Sequence, residues 1–167
     1  DDIGLACGGW TIAWQGGTGP ITDGTTLLEG LREHLGNDIA YDATGTTTNP
    51  VDVAVVAIAE KPYAEGEGDR EDLTLAEDDI ALIRATRERC NKLVLVIYSG
   101  RPLVISQVVD QCDAVVAAFL PGSEANGVAD VLVGAAPFTG KLAFTWIDNM
   151  SQLPGPFQQS TGDKPLF

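Results

Sequence analysis

The sequence predicts an α/β fold: a three-layer α/β/α sandwich of flavodoxin-like type, with a mostly parallel sheet and one antiparallel edge strand. Three observations predict it. The apolar runs at 51–60, 93–99 and 114–120 are almost unbroken rather than alternating, the pattern of strands buried on both faces. Helical patterns stand between them, and strand–helix alternation builds a parallel sheet covered by helices. The chain has 167 residues, 44% of them hydrophobic, enough for the core of one domain. A single domain over 1–167 is expected.

Each element has its own signal. Residues 1–24 read as a glycine-rich loop. "TTLLEGLREHLG" reads as a helix: Thr26 and Glu29 make a capping box, Leu27, Leu28, Leu31 and Leu35 form the apolar stripe, and Gly36 closes it. "VDVAVVAIAE" (51–60) is a β-branched run of strand length. Residues 61–73 form a charged loop. "TLAEDDIALIRATRERC" repeats the capping-box pattern with Thr74 and Glu77. Its acids come first and Arg84, Arg87 and Arg89 later, as the helix dipole favours. "LVLVIYS" (93–99) is the second strand, followed by a short helix after Pro102. "AVVAAFL" (114–120) is the third. "SEANGVADVLVG" is a short helix ending at Gly134, "GKLAFTW" (140–146) is the edge strand, and the last twenty or so residues read as irregular.

Ligands of open α/β sheets bind beyond the carboxyl ends of the strands. The loops leaving those ends are 60–73, 99–102 and 120–124. The loop at 5–24 precedes a helix, so the same alternation places a strand before it. "DDIGLA" is too short and too acidic for that strand, and the segment is expected to begin just after it. A strand lacking its neighbour exposes backbone groups and apolar area, so the isolated chain is expected to be marginal, to self-associate, or to need the absent part in trans.

Charge narrows the partners. A net charge of −14 opposes nucleic acid and anionic membrane surfaces. It suits a soluble protein with a neutral or cationic ligand. No run approaches the roughly 18 apolar residues of a membrane span. The cysteines Cys7, Cys90 and Cys112 lack CxxC spacing, and an odd number leaves one thiol outside any internal disulfide. His34, the single histidine, lies on a helix as an ordinary surface residue. No metal site is expected.

The loop "EKPYAEGEGDRED" (60–72) carries Glu60, Glu65, Glu67, Asp69, Glu71 and Asp72. Taken alone it is a solvated acidic loop, and its spacing does not fit an EF-hand. In a ligand-side position, one of its carboxyls flanked by glycines suits general acid chemistry. An apolar aromatic wall would keep that acid protonated near neutral pH. "GGWTIAWQGGTG" (8–19) offers Trp10 and Trp14 for such a wall. The two rings either fill a small satellite core beneath their loop or present amphipathic faces to a sugar, and the residues alone leave both open.

The segments "CGGWTIAWQGGTG", "EKPYAEGEGD", "SGRP" and "LPGSEANGVADVLVG…GKLAFTW" occur in this order and spacing. Together they resemble the second, α/β-sandwich domain of glycoside hydrolase family 3, especially its exo-β-glucosidase and exo-1,3/1,4-β-glucanase branch. The resemblance covers essentially the whole chain. "GGWTIxWQG" with "PYxExxGD" is a specific combination, whereas "SGRP" alone is weak. The resemblance implies a retaining, cofactor-free hydrolase acting on terminal non-reducing β-D-glucosyl residues of β-glucosides and β-glucan oligosaccharides. It implies a (β/α)8 barrel partner that supplies the nucleophilic aspartate, while this domain supplies the acid/base glutamate and a tryptophan clamp for the next sugar. Carried over by motif, Glu65 takes the acid/base position, with Glu67 as its rival. Trp10 and Trp14 take the clamp, Trp10 foremost. Arg101 and Glu124 organise loops through charge-assisted hydrogen bonds. Such enzymes are often secreted or periplasmic.

The chain departs from the family pattern in lacking the barrel and the usual first strand. It ends at "PLF" where relatives continue, and carries Ala143 where many have proline. The isolated chain is therefore expected to be inactive. The alternative is a non-catalytic carbohydrate-binding or scaffold domain of the same fold. An unrelated nucleotide module is disfavoured, since no GxGxxG follows a strand.

Overall fold

The structure, a computed structural model, describes residues 1–46, 49–153 and 166–167. Most of the tail expected to be irregular, 154–165, lies outside the described residues.

The chain opens with a short helix that the glycine content hid, α1 (Ile3–Cys7). Asp2 makes it. One carboxylate oxygen caps the helix by accepting from Leu5 N at 2.9 Å, and the other accepts from Gly19 N at 2.8 Å. The same side chain thus starts α1 and pins the far end of the glycine-rich loop. Helix α2 (Leu27–Leu35) forms as expected, with the full Thr26–Glu29 capping box and Gly36 at φ 88° beyond its end.

Three strands form one parallel sheet in the order β1 (Val51–Ala59), β2 (Cys90–Tyr98), β3 (Ala114–Phe119). The central strand is β2, and Leu93, Leu95, Val96 and Ile97 are fully buried. On one face, Val56, Ile58, Leu93, Leu95 and Ile97 pack with Ile80 and Ile83 of helix α3 (Glu77–Arg87). On the other, Val96 and Tyr98 pack with Leu27 and Leu31 of α2 and with Ala129 of helix α4 (Asn126–Leu132). The helices α2 and α4 approach closely because residue 30 is glycine: a Cβ there would lie 2.8 Å from Asn126 Cα and 3.0 Å from Ala129 Cβ. Helices on both faces of a parallel sheet are the expected α/β sandwich.

Four local expectations need correction. First, β1 is not buried on both faces. It is a sheet edge, and Val53 and Val55 are 58% and 38% exposed. Second, "GKLAFTW" forms no strand among the described residues. Its one buried member, Trp146, anchors the segment under the α3 face and donates Nε1–H to Leu103 O at 2.8 Å, while Leu142 and Phe144 stay exposed. Third, the Thr74–Glu77 box does not form, because α3 begins later, with Ala76 as its N-cap. Thr74 instead bridges Val104 and gives its N–H to Asp72 Oδ1 at 2.9 Å. The charge order of α3 holds, with Glu77, Asp78 and Asp79 first and Arg84 and Arg87 last. Fourth, the helix expected after Pro102 shrinks to a 3-10 turn at Val109–Gln111.

Candidate active site

The loops leaving β1 and β2 meet at one carboxylate. Glu60 extends β1 by one residue, its N–H bonded to Tyr98 O at 2.9 Å. Its side chain turns inward and is only 8% exposed. Oε1 accepts from Arg101 Nε at 3.1 Å and Nη2 at 2.9 Å, and pairs with Arg70 Nη2 at 3.2 Å. Oε2 accepts from Tyr63 Oη–H at 3.2 Å. A buried carboxylate needs such partners, since stripping its water uncompensated costs several kcal/mol. The Arg101 guanidinium also lies 4.6 Å from the centre of the Tyr63 ring, a cation–π contact. Burial, and then the Glu60 charge, push the Tyr63 phenol above its ordinary pKa. Arg101 thus ties the loop after β2 to Glu60 and Tyr63.

Tyr63 decides which residues surround it. A Cβ on Gly68 would overlap its ring, and one on Gly9 would land on its carbonyl oxygen. These two glycines are where the backbone of the acidic loop and the tryptophan loop press on the same residue. Beside Tyr63, the buried Ala64 gives its N–H to Gln15 Oε1 at 2.8 Å. The next residue is Glu65, which opens a 3-10 turn, Glu65–Gly68, at φ 53°. That is the left-handed region, uncommon for a non-glycine residue. Glu65 and Glu67 are both exposed on this turn. Glu65 follows the Gln15 tether directly, whereas Glu67 sits two residues further from it. In this chain, the aromatic enclosure expected around the acid is not built: Glu65 faces solvent.

The tryptophan loop is not a satellite core. Trp10 is 67% and Trp14 56% exposed, with ring centroids 6.3 Å apart and planes tilted by 52°. Trp10 N–H bonds Trp14 O at 2.9 Å and closes the loop on itself. Trp10 and Ile12 sit at φ 66° and 64°, a strained arrangement costing on the order of 1–3 kcal/mol each. Both rings are thus exposed on a strained backbone that is closed on itself.

Glu124 stands apart from this cluster. It is exposed, and its carboxylate is 3.5 Å from Ser123 Oγ. It organises its loop through the backbone instead, in a parallel bridge to Thr25. His34 is 2.7 Å from Asp130 Oδ1 on the outside of α2 and α4, remote from the carboxyl edge. The thiols are free, and burial pushes Cys112 up to about 11, which makes it a poor nucleophile near neutral pH.

Sequence reasoning counted Glu60 only among the loop's acids, and it passed over Tyr63, Arg70 and Gln15. One signal was available. Glu60 is a charged residue at the very end of a buried strand, and Arg101 stands just past the end of the next. Side chains at those two points can meet when the strands are parallel neighbours, as they do here.

An acidic turn and an exposed tryptophan pair lie on loops at the carboxyl edge of the parallel sheet, the edge at which such sheets bind ligands. Residues 2–167 match the family described as "Glycosyl hydrolase family 3 C-terminal domain". The chain belongs to that family. It is 29% identical over 194 residues to "Lysosomal beta glucosidase" of Dictyostelium discoideum, covering 100% of this chain and 24% of that protein. It is 30% identical over 116 residues to "Periplasmic beta-glucosidase" of Salmonella typhimurium, covering 68% of this chain and 15% of that protein. Among solved structures, the exo-1,3/1,4-beta-glucanase (ExoP) of a Pseudoalteromonas species superposes with a TM-score of 0.87 at 36% identity, covering 100% of this chain and 23% of that one. The chain thus spans about a quarter or less of the length of these relatives.

Proposed function

We propose that this domain carries the acid/base half of the active site of a retaining, exo-acting β-glucosidase or β-glucanase. The observation that supports the reading is the bond from Ala64 N to Gln15 Oε1, which ties the loop carrying Trp10 and Trp14 to the residue before Glu65. Glu65, protonated, gives its proton to the glycosidic oxygen while a carboxylate on the opposite side of the sugar attacks the anomeric carbon. Glu65 then takes a proton from the incoming water, which opens the glycosyl-enzyme bond. Retention requires the two carboxyl groups roughly 5–5.5 Å apart. The nucleophile comes from a barrel domain outside these 167 residues. That barrel also completes the enclosure that would keep an exposed carboxyl protonated. Trp10, with Trp14 beside it, offers a face to the sugar beyond the cleaved bond. The lysosomal and periplasmic relatives fit a secreted or periplasmic enzyme.

The test is to place this domain in the Pseudoalteromonas exo-glucanase, in exchange for the matching segment, and to replace Glu65 by alanine. Turnover of laminaribiose or cellobiose is expected to fall by roughly 10²–10⁴. An aryl glucoside with a good leaving group should lose far less, and azide should restore turnover as glucosyl azide. Glu67→Ala is expected to show neither the leaving-group dependence nor the rescue. Parent-like cleavage of laminaribiose by the Glu65→Ala enzyme would refute the assignment. The 167-residue chain by itself is expected to turn over no aryl β-glucoside.

A further inference from the structure

The Glu60 carboxylate grips the acidic loop at both ends. Tyr63, near the start, donates to Oε2, and Arg70, near the end, pairs with Oε1 at 3.2 Å. The turn carrying Glu65 and Glu67 lies between those two points. Glu60 therefore closes the stretch 60–70 into a ring of chain. A third contact anchors that ring to the sheet: Arg101, from the loop after β2, donates twice to Oε1 and stacks on Tyr63. Gly68 leaves no space between the turn and the Tyr63 ring, so the turn cannot settle closer when the ring shifts. Without the carboxylate, two guanidiniums would face each other across the gap. Like charges in a partly buried site repel, and the loop would open.

We infer that Glu60 is the positioning residue of this site: it closes the 60–70 loop and anchors it to β2, which fixes the height of Glu65 above the sheet. The role rests on the reading of Glu65 as the acid/base. Glu60 touches no reacting atom. Its effect is on where the acid sits, and misplacing a catalytic group by about 1 Å costs on the order of 10²-fold in rate.

Two measurements test it. In the domain-exchanged enzyme, amide hydrogen exchange read by mass spectrometry at single-residue resolution reports the loop directly. Glu60→Gln keeps the shape and removes the charge. Exchange of the Ala64 amide is expected to speed up by about tenfold or more, while the Leu95 and Ile97 amides of β2 keep the parent's protection. Unchanged Ala64 protection overturns the inference. Equal loss at Ala64 and in β2 also overturns it, because Glu60 would then be a general stabiliser. Should Glu60→Gln fail to fold, Arg70→Gln decides. It opens the ring but leaves the Arg101 pair, and the same selective loss at Ala64 supports the role while parent-like exchange refutes it.

In the domain-exchanged enzyme, Glu60→Gln is expected to lower kcat on laminaribiose by about 10–100-fold. It should lower kcat on 2,4-dinitrophenyl glucoside, which needs little acid assistance, much less, and leave KM nearly unchanged. Glu65→Ala is measured alongside. If it shows no leaving-group dependence, the assignment of the acid fails. If it does and Glu60→Gln behaves like the parent, only the positioning role fails.

Discussion

Gln15 Oε1 accepts the Ala64 N–H at 2.8 Å, joining two loops that are 49 residues apart in sequence. This bond ties the tryptophan loop to the residue before Glu65, alongside the packing of Gly9 on Tyr63. Replacing Gln15 by leucine keeps the bulk and removes the acceptor. The Ala64 N–H is buried, and leaving it unpaired costs about 1–3 kcal/mol. For a domain of this size, each kcal/mol lowers the melting temperature by about 2–4 °C. Calorimetry on the Gln15→Leu chain checks this, and a melt at the parent temperature would mean that the bond does not hold the loops together.

The contact between the loops also makes their glycines unequal. A Cβ on Gly9 would land on the Tyr63 carbonyl oxygen, whereas a Cβ on Gly66 meets nothing within 4 Å. Gly9→Ala should therefore push the tryptophan loop off the acidic loop. Gly66→Ala, in the middle of the turn, should be neutral or stabilising by about 0.4–1 kcal/mol, because it restricts the unfolded chain. Urea titrations of the two variants separate the cases. Equal midpoints for Gly9→Ala and Gly66→Ala would contradict this packing.

These glycines show how far the sequence could be read. The strands at 51–59, 90–98 and 114–119 and the capped helix after Thr26 were legible because each is a local signal: an apolar run or a capping pair. The loops of the site were legible too, since the ligand side of a parallel sheet follows from strand direction alone. Partnership was not. The strand-end positions of Glu60 and Arg101 point to each other only once β1 and β2 are known to pair, and no local pattern assigns Arg70 and Tyr63 to Glu60. "GKLAFTW" misled for a related reason. Its alternation resembles a strand, yet the segment is held by the single side chain of Trp146 and not by a ladder. The capping pattern at Thr74 misled because a tertiary bridge to Val104 competes for that residue and wins.

A second charge cluster contributes to acid stability. Asp113 precedes β3 and accepts from Lys92 Nζ at 2.7 Å, Arg87 Nη1 at 2.8 Å and Leu93 N at 2.9 Å. The Lys92 bond, and then the Leu93 N–H, hold its pKa down at about 2, against about 3.9 in an unfolded chain. A depressed carboxylate stabilises the fold at every pH above the unfolded value. That contribution fades as pH falls from about 4 to about 2. Asp113→Asn should therefore be less stable than the parent at pH 7 and nearly equal to it near pH 2. Urea midpoints at the two pH values check the convergence. A gap of the same size at both would assign the effect to lost packing instead of charge.

The last expectation concerns the bare side of the sheet. Among the described residues, α2 and α4 cover β2 and β3, and of β1 on that face only its last residue, Ala59, packs with them, so Val53, Val55 and Ala57 are left open. In register, Val55 is the partner of Val94 and Ala57 of Val96. Val94 and Val96 are packed beneath the helices, whereas Val53 and Val55 are 58% and 38% exposed and Ala57 is exposed as well. At the other end of the sheet, an open apolar groove of about 300 Å³ runs between β3 and α4, lined by Val116, Ala118, Val128, Val131 and Phe138. Neither β1 nor β3 has a second strand partner among the described residues, and unpaired strand edges are templates for association. The net charge of −14 opposes this at low salt but is screened within about 10 Å at 0.1 M. The isolated chain should therefore associate more strongly as salt rises. Val53→Lys with Val55→Lys should suppress that association without lowering the melting temperature by more than a few degrees, since neither side chain is buried. Light scattering across a range of concentration and salt decides the matter. A monomer under all conditions would show that the open faces are not sticky enough to drive assembly.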